Sequence, residues 1–382
     1  MSTFALYRLP HADHCFRVEQ TEGDPLRLQS CADLNGRQGF VVAPFHVTDA
    51  EPILLIRPDK VERLAVKTPE ITGRPESPEI LENPGSPESP ETPVYPEPSS
   101  AVTPAYARCF AQIQAQLREG TFRKVVLARS ASLPNSQKAM PEELFWRACE
   151  RYPRMFISLV SMPDGSYWLT ATPEILLEGQ GSDWRTIALA GTMQLEGDEL
   201  KGEGENIRWS PKNIQEQRYV ASYIANCLER FSLVYREEGP RTVRAAHLVH
   251  LRSDFTFSLL EYTRVGDLLQ ALHPTPAVCG LPKQATSDFI LQHEQADRQY
   301  YSGFMGPLNL LSNIQENASV EAGRIQQNEK ETHLYVSLRC MHITPADYRL
   351  YAGGGILKDS QLEQEWQETE AKMKTMKNLL VS

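Results

Sequence analysis

No stretch of this 382-residue chain stays apolar for about 18 residues, so no membrane-crossing helix is expected. The first residues, MSTFALYRLPHADHCFRVEQ, lack the charged-then-apolar order of a secretory signal. Cysteine is sparse. The chain holds seven, an odd number without a CxxC pair, which argues against a disulfide framework or a zinc site. A reducing cytosol is the expected setting, and Cys109, Cys149 and Cys227 read as small core residues. Positive charge is in deficit: 39 Lys+Arg against 49 Asp+Glu leave a net charge of −10, which speaks against a nucleic-acid partner. No GxxxxGKS/T phosphate loop is present.

What is there reads as a globular protein of one large domain or two ordinary ones. Residues 1–66 alternate apolar and polar in short runs such as GFVVAPF and PILLIRP, which predicts strands. Residues 67–103 change character. KTPEITGRPESPEILENPGSPESPETPVYPEPSSAVT is rich in Pro, Glu and Ser, cannot pack a core, and reads as a mobile excursion. From 104 to 382 the pattern is dense. TPAYARCFAQIQAQLREG predicts a helix ending at Gly120, FRKVVLARSASL a strand, and KNIQEQRYVASYIANCLERF an amphipathic helix. Successive strands with interspersed helices predict an α+β fold: large antiparallel sheets packed as a sandwich, helices outside.

The C-terminal run YAGGGILKDSQLEQEWQETEAKMKTM carries the densest local signal. Gly353, Gly354 and Gly355 suggest a turn of positive φ that approaches a ligand closely and aims N–H groups at an anion. Ser360 is a plausible N-cap for the helix that follows. On it Glu365, Glu368 and Lys372 fall within roughly 60° of one another. Trp366, Thr369, Met373, Met376 and Leu380 form an adjacent buried stripe. Two readings stay open for the charged face: a solvated surface with Glu-to-Lys pairs, or one wall of a cleft holding an anion and a hard metal ion.

Eight segments in order are similar to one family: FRKVVLARS, ATPEILL, ALAGT, KNIQEQRYV, LHPTPAVCGLP, YYSGFMG, LYVSLRC and YAGGGI…EWQETEAK. Over roughly 104–382 the chain resembles the chorismate-utilising enzymes, which include isochorismate, anthranilate, aminodeoxychorismate and salicylate synthases. The likeness is closest to isochorismate synthases. Residues 1–66 would then supply further strands of the same fold.

The resemblance implies a Mg²⁺-dependent reaction on chorismate. A nucleophile adds at C2 of the ring, the double bonds shift, and the C4 hydroxyl leaves. It places Lys124 as the base that activates water, where amine-adding relatives usually carry glutamine. A lysine works as a base near neutrality only when burial or neighbouring cations lower its pKa. Glu174 is implied as the general acid, which needs a raised pKa to hold its proton. Glu216 and Glu368 are implied as metal ligands, with Glu365 one turn earlier as a partner; Mg²⁺ suits such sparse carboxylate sites.

Arg339 would take the side-chain carboxylate of chorismate through its fork, together with the Gly353 backbone. Lys372 would sit near the ring carboxylate and the metal. Gly191 and Thr192 would meet the ligand, and His273 and Thr275 lie in a motif the family keeps near the ring. His273 reads equally as a polar orienter or a structural turn residue. His250 matches another family histidine and reads as structural, and Tyr301 and Gly303 as shaping the pocket. Gln217, Met193 and Cys279 depart from the family's frequent histidine, arginine and glycine.

Ala190, where aminodeoxychorismate synthases usually carry lysine, joins Lys124 in favouring water over ammonia. The expected activity is therefore isochorismate synthesis, without a glutaminase subunit, in a cytoplasmic monomer. Salicylate synthesis with loss of pyruvate, or chorismate binding without turnover, are the alternatives.

Overall fold

A computed structural model describes residues 3–66, 101–135, 139–194, 207–245, 248–261, 264–295, 297–311 and 330–381. The Pro/Glu/Ser-rich stretch lies outside these residues up to position 100. The chain begins with β1 (Thr3–Arg8), β2 (His14–Gln20), β3 (Leu26–Leu28), β4 (Gly39–Ala43), β5 (Ile53–Ile56) and β6 (Lys60–Ala65). Next come α1 (Pro104–Glu119), β7 (Lys124–Pro134), α2 (Pro141–Arg151), β8 (Phe156–Ser161), β9 (Tyr167–Thr172), β10 (Ile175–Gln180) and β11 (Asp183–Gln194). Then α3 (Pro211–Leu228), β12 (Tyr235–Ala245), β13 (Leu248–Ser258), α4 (Val265–Leu272), β14 (Gly280–Leu281) and α5 (Lys283–His293). The last are β15 (Phe304–Leu308), β16 (Leu310–Leu311), β17 (Lys330–Val336), β18 (Cys340–Ile343), β19 (Asp347–Ile356) and α6 (Leu362–Leu380).

Two antiparallel sheets result. One runs β14-β7-β19-β18-β9-β8-β1-β2-β6, the other β12-β13-β11-β10-β17-β15-β4-β5-β3. They face each other across a layer that includes Phe40, Phe156, Trp168, Tyr335 and Tyr351. Phe156 of the first sheet and Tyr335 of the second stack with centroids 4.3 Å apart and planes 2° from parallel. Burying each such ring contributes about 2–3 kcal/mol. Outside, α3 and α4 cover the second sheet with Ile224, Leu228, Leu268 and Leu269, while α2 and α6 cover the first with Leu144, Phe145, Met373 and Met376. This is the helix-flanked α+β sandwich read from the pattern of the chain. Among the described residues no helix is long and apolar enough to cross a membrane, and all seven cysteines are buried and unbonded.

Local chemistry sets the helix ends. Thr103 caps α1 by accepting the Tyr106 N–H at 3.4 Å, Pro104 opens it, and Gly120 closes it at φ +80°. Ser210 caps α3 through the Asn213 N–H at 3.2 Å. At α6 the expectation fails. The N-cap is Gln361, without a side-chain cap bond, because the Ser360 hydroxyl instead accepts the Leu357 N–H at 3.0 Å within the preceding turn.

Candidate active site

Lys124 opens β7, which lies between β14 and β19. Its side chain is fully buried, and Nζ stands 3.0 Å from Oε1 of Glu216 without the alignment of a hydrogen bond. Lys124 is neither on an edge strand nor turned to water. Glu216 comes from α3, which packs on β11 and β13, and its carboxylate reaches Gly355 of β19.

The three glycines do something other than expected. Gly353, Gly354 and Gly355 are strand residues of β19, paired with Ala128, Leu127 and Val126 of β7, and none has a positive φ. They do not form a turn, and their N–H groups belong to a sheet rather than an anion nest. Glycine is needed for space. A Cβ on Gly355 would lie 2.0 Å from Glu216 Oε1; one on Gly354 would lie 3.1 Å from Glu365 Oε2 and 3.9 Å from Glu368 Oε1. A Cβ on Gly353 would meet the Tyr301 hydroxyl at 2.9 Å. The missing side chains let the Glu216, Glu365 and Glu368 carboxylates close on the backbone of β19.

Glu174 sits between β9 and β10. Its backbone is held at both ends: the N–H reaches Thr172 Oγ1 at 3.3 Å, and the carbonyl accepts the Val336 N–H at 2.9 Å. Burial pushes its carboxyl up to about 7, against the pull of Arg339, Lys124 and Lys372. Arg339, between β17 and β18, is buried with φ +42°, a region costing a non-glycine residue about 1 kcal/mol or more. Its Nη2 lies 2.7 Å from His250 Nε2, and its Nε has no hydrogen-bond partner. Burial lowers the Arg339 pKa, with Glu174 opposing.

Gly191 forms a bulge in β11 at φ +73°, which turns its carbonyl to within 3.2 Å of His250 Nδ1. The Thr192 hydroxyl is 3.3 Å from the same nitrogen.

These groups enclose a cavity of about 50 Å³ lined by Glu174, Gly191, Thr192, Glu216, Arg339, Gly353 and Lys372, with Ala190, His250 and Tyr301. Lys124 lies behind Glu216. His273 and Thr275 are not brought to this cavity. His273 Nε2 bonds the Pro44 carbonyl at 3.1 Å and its ring packs edge-on against Phe304; burial pulls its pKa down to about 3. Of its two readings, the geometry supports the structural one. The Thr275 hydroxyl is buried without a partner, and its carbonyl accepts the Val278 and Cys279 N–H groups. His250, read as structural, lines the wall and touches Arg339. A larger groove of about 850 Å³ lies over β10, β11 and β13, lined by Trp184, Tyr235 and Phe257, and holds none of the expected site residues.

The carboxylates of α6 are arranged with lysines. Lys372 Nζ donates to Glu368 Oε1 at 2.7 Å and to the Gly353 carbonyl at 2.8 Å. Burial would raise the Glu368 carboxyl, but Lys372, Lys212 and the Thr192 hydroxyl hold it below the usual range. Glu365 is 1% exposed, contacts Lys212 through Oε1, and keeps Oε2 unpartnered. Burial first, then the neighbouring Glu368, push its carboxyl up to about 7.

Lys212 was missed in the sequence. The available signal was its place one helical turn before Glu216 on α3. Among the described residues no three or more His, Cys, Asp or Glu side chains group at metal-holding spacing. The donor set still suits a small hard cation: carboxylates from two helices, with an orphaned buried oxygen on the neighbouring Glu365.

Residues 76–381 match the family model described as chorismate binding enzyme. The salicylate biosynthesis isochorismate synthase of Pseudomonas aeruginosa is 32% identical over 270 residues, 69% of this chain and 52% of that protein. The isochorismate synthase EntC of Escherichia coli K12 is 29% identical over 67% of this chain and 62% of its own length. The chain thus matches little more than half to under two thirds of these relatives.

Among solved structures, the menaquinone-specific isochorismate synthase MenF of E. coli superposes with a TM-score of 0.73 at 22% identity, covering 99% of this chain and 88% of that one. Anthranilate synthase component I of Streptococcus pneumoniae does so with 0.65 at 16%, covering 98% and 89%. At these identities the two structures speak for the fold alone.

Proposed function

The chain belongs to the chorismate binding enzymes, and on that footing we propose that it is an isochorismate synthase, adding water at C2 of chorismate and releasing the C4 hydroxyl as water. One observation carries the reading: a buried carboxyl raised to about 7, Glu174, lines one cavity with the buried Arg339 and with Glu216, behind which stands a fully buried lysine, Lys124.

Lys124 takes the proton of the attacking water, and Glu174 gives its proton to the departing hydroxyl. The ring double bonds shift between the two events. Arg339 offers its unpartnered Nε–H to the side-chain carboxylate of the substrate, where a charge-assisted bond is strongest. Lys372 faces the same cavity and steadies the ring carboxylate. Glu216 and Glu368 would hold Mg²⁺, with Glu365 beside them. When bound, that ion neutralises and clamps a substrate carboxylate.

At about 50 Å³ the cavity is well below the roughly 300–1,000 Å³ of ligand pockets. Admitting a ring with two carboxylates therefore requires the charged side chains to rearrange. Water as nucleophile needs no ammonia-supplying subunit.

The test is incubation of the purified protein with chorismate and Mg²⁺ without ammonia, the products being identified by chromatography and mass. Isochorismate alone is expected. Salicylate with pyruvate, or binding without turnover, would overturn the proposal.

A further inference from the structure

We propose that Lys212 is the resident countercation of the metal site: its ammonium holds Glu365 in the metal-free protein and is driven into solvent when a divalent cation binds, which sets the affinity of the site. The inference deepens the function proposed above and rests on the assignment of the α6 carboxylates to Mg²⁺.

Three carboxylates each carry one lysine. Glu216 has Lys124 at 3.0 Å, Glu368 has Lys372 at 2.7 Å, and Glu365 has Lys212. The set is balanced, so a divalent cation entering it brings two unmatched positive charges. Substrate carboxylates can match them in the complex. Before substrate arrives, relief has to come from a lysine.

Only one of the three is placed to leave. Lys124 is fully buried on a strand with neighbours on both sides; parting it from Glu216 would leave a charge stranded in the core, at a cost of several kcal/mol. Lys372 is also tied to the Gly353 carbonyl.

Lys212 is the second residue of α3 and its side chain is 24% exposed. Rotation of its own torsions takes the ammonium to water with no backbone change. The helix N-terminus also disfavours a cation there, so Glu365 is what keeps it in place. Glu365, at 1% exposure beside Glu368, would without that lysine be a buried carboxylate with no countercation. Its Oε2 is already unpartnered. A metal taking over Glu365 satisfies that oxygen and frees the most exposed of the three lysines, Lys212 at 24% against 17% for Lys372 and 0% for Lys124.

The test is calorimetric titration of Mg²⁺ into the protein without chorismate, for the unaltered chain, Lys212→Met and Lys212→Arg, with melting temperatures at zero and saturating Mg²⁺. Lys212→Met should bind Mg²⁺ about tenfold more tightly, and should melt lower than the unaltered chain only while metal-free. Lys212→Arg, which keeps the charge and adds a second donor to the carboxylate, should bind no more tightly than the unaltered chain.

Equal or weaker Mg²⁺ affinity in Lys212→Met, or a melting gap that persists at saturation, overturns the inference. Absence of Mg²⁺ binding in all three proteins overturns it together with the metal assignment. The expected Mg²⁺ series without isochorismate formation would sink the proposed reaction and support this inference.

Discussion

Arg339 Nη2 lies 2.7 Å from His250 Nε2, and because a guanidinium can only donate, the imidazole accepts at Nε2 and carries its hydrogen on Nδ1. That hydrogen faces the Gly191 carbonyl at 3.2 Å. One histidine therefore ties Arg339 to the bulge of β11. Replacing His250 by phenylalanine should leave a buried guanidinium short of a partner and raise the KM for chorismate about 10–100-fold, with a smaller effect on kcat. His250→Gln, which retains an acceptor, should recover part of the loss. Steady-state kinetics decide, and an unchanged KM in the phenylalanine variant would refute the positioning role.

Glu174 should impose a pH limb. A general acid must be protonated, so kcat should fall as pH rises through about 7, where the buried carboxyl titrates. The same group has a stability signature. Between its ordinary 4.5 and about 7 the folded state binds more protons than the unfolded one, so stability drops as pH rises across that window. Glu174→Gln should match the unaltered protein near pH 4 and exceed it by about 3 kcal/mol near pH 8. Denaturant melts at the two pH values measure this; a variant no more stable at pH 8 would contradict the raised carboxyl.

Lys124→Ala should lower kcat by about 10²–10⁴-fold while Mg²⁺-dependent chorismate binding persists. Glu174→Ala should behave alike. Rates come from product formation and binding from calorimetry; full activity in either variant would remove its assigned role.

Gly355→Ala would set a methyl 2.0 Å from Glu216 Oε1 and 3.0 Å from Lys124 Cε. The carboxylate must swing away, so Mg²⁺ affinity should drop about tenfold or more with the circular dichroism spectrum unchanged. Gly303→Ala is the contrast, since its Cβ would lie 1.9 Å from the Ala43 carbonyl oxygen, and should appear as a loss of about 2–3 kcal/mol in stability. Mg²⁺ affinity unaffected by Gly355→Ala would mean that Glu216 is not a ligand.

Much of the fold is legible along the chain because the signals are local. Thr103, Pro104 and Gly120 bracket α1 with capping chemistry visible in one dimension, and the stripe Trp366, Thr369, Met373, Met376, Leu380 is buried along its length. What escaped depends on partners far away in sequence. The Gly353–Gly355 run reads as a turn, because the carboxylates and the tyrosine that require empty space arrive from residues 216, 301, 365 and 368. His273 looks as available as His250 until Pro44 and Phe304 are seen to enclose it. Lys212 passes for a surface helix residue, since nothing nearby announces Glu365.

The placement of β7 has a temporal consequence. Both of its strand neighbours, β14 and β19, follow it in the chain, and Ala128 meets Gly353 across 225 intervening steps (353 − 128). During synthesis the segment bearing Lys124 has no strand to pair with until more than half the remaining protein has emerged. Contacts this remote make for slow folding. A strand that carries Lys124, Arg129, Ser130 and Ser132 is well suited to that wait, because these polar groups keep the nascent segment hydrated until β19 closes over it.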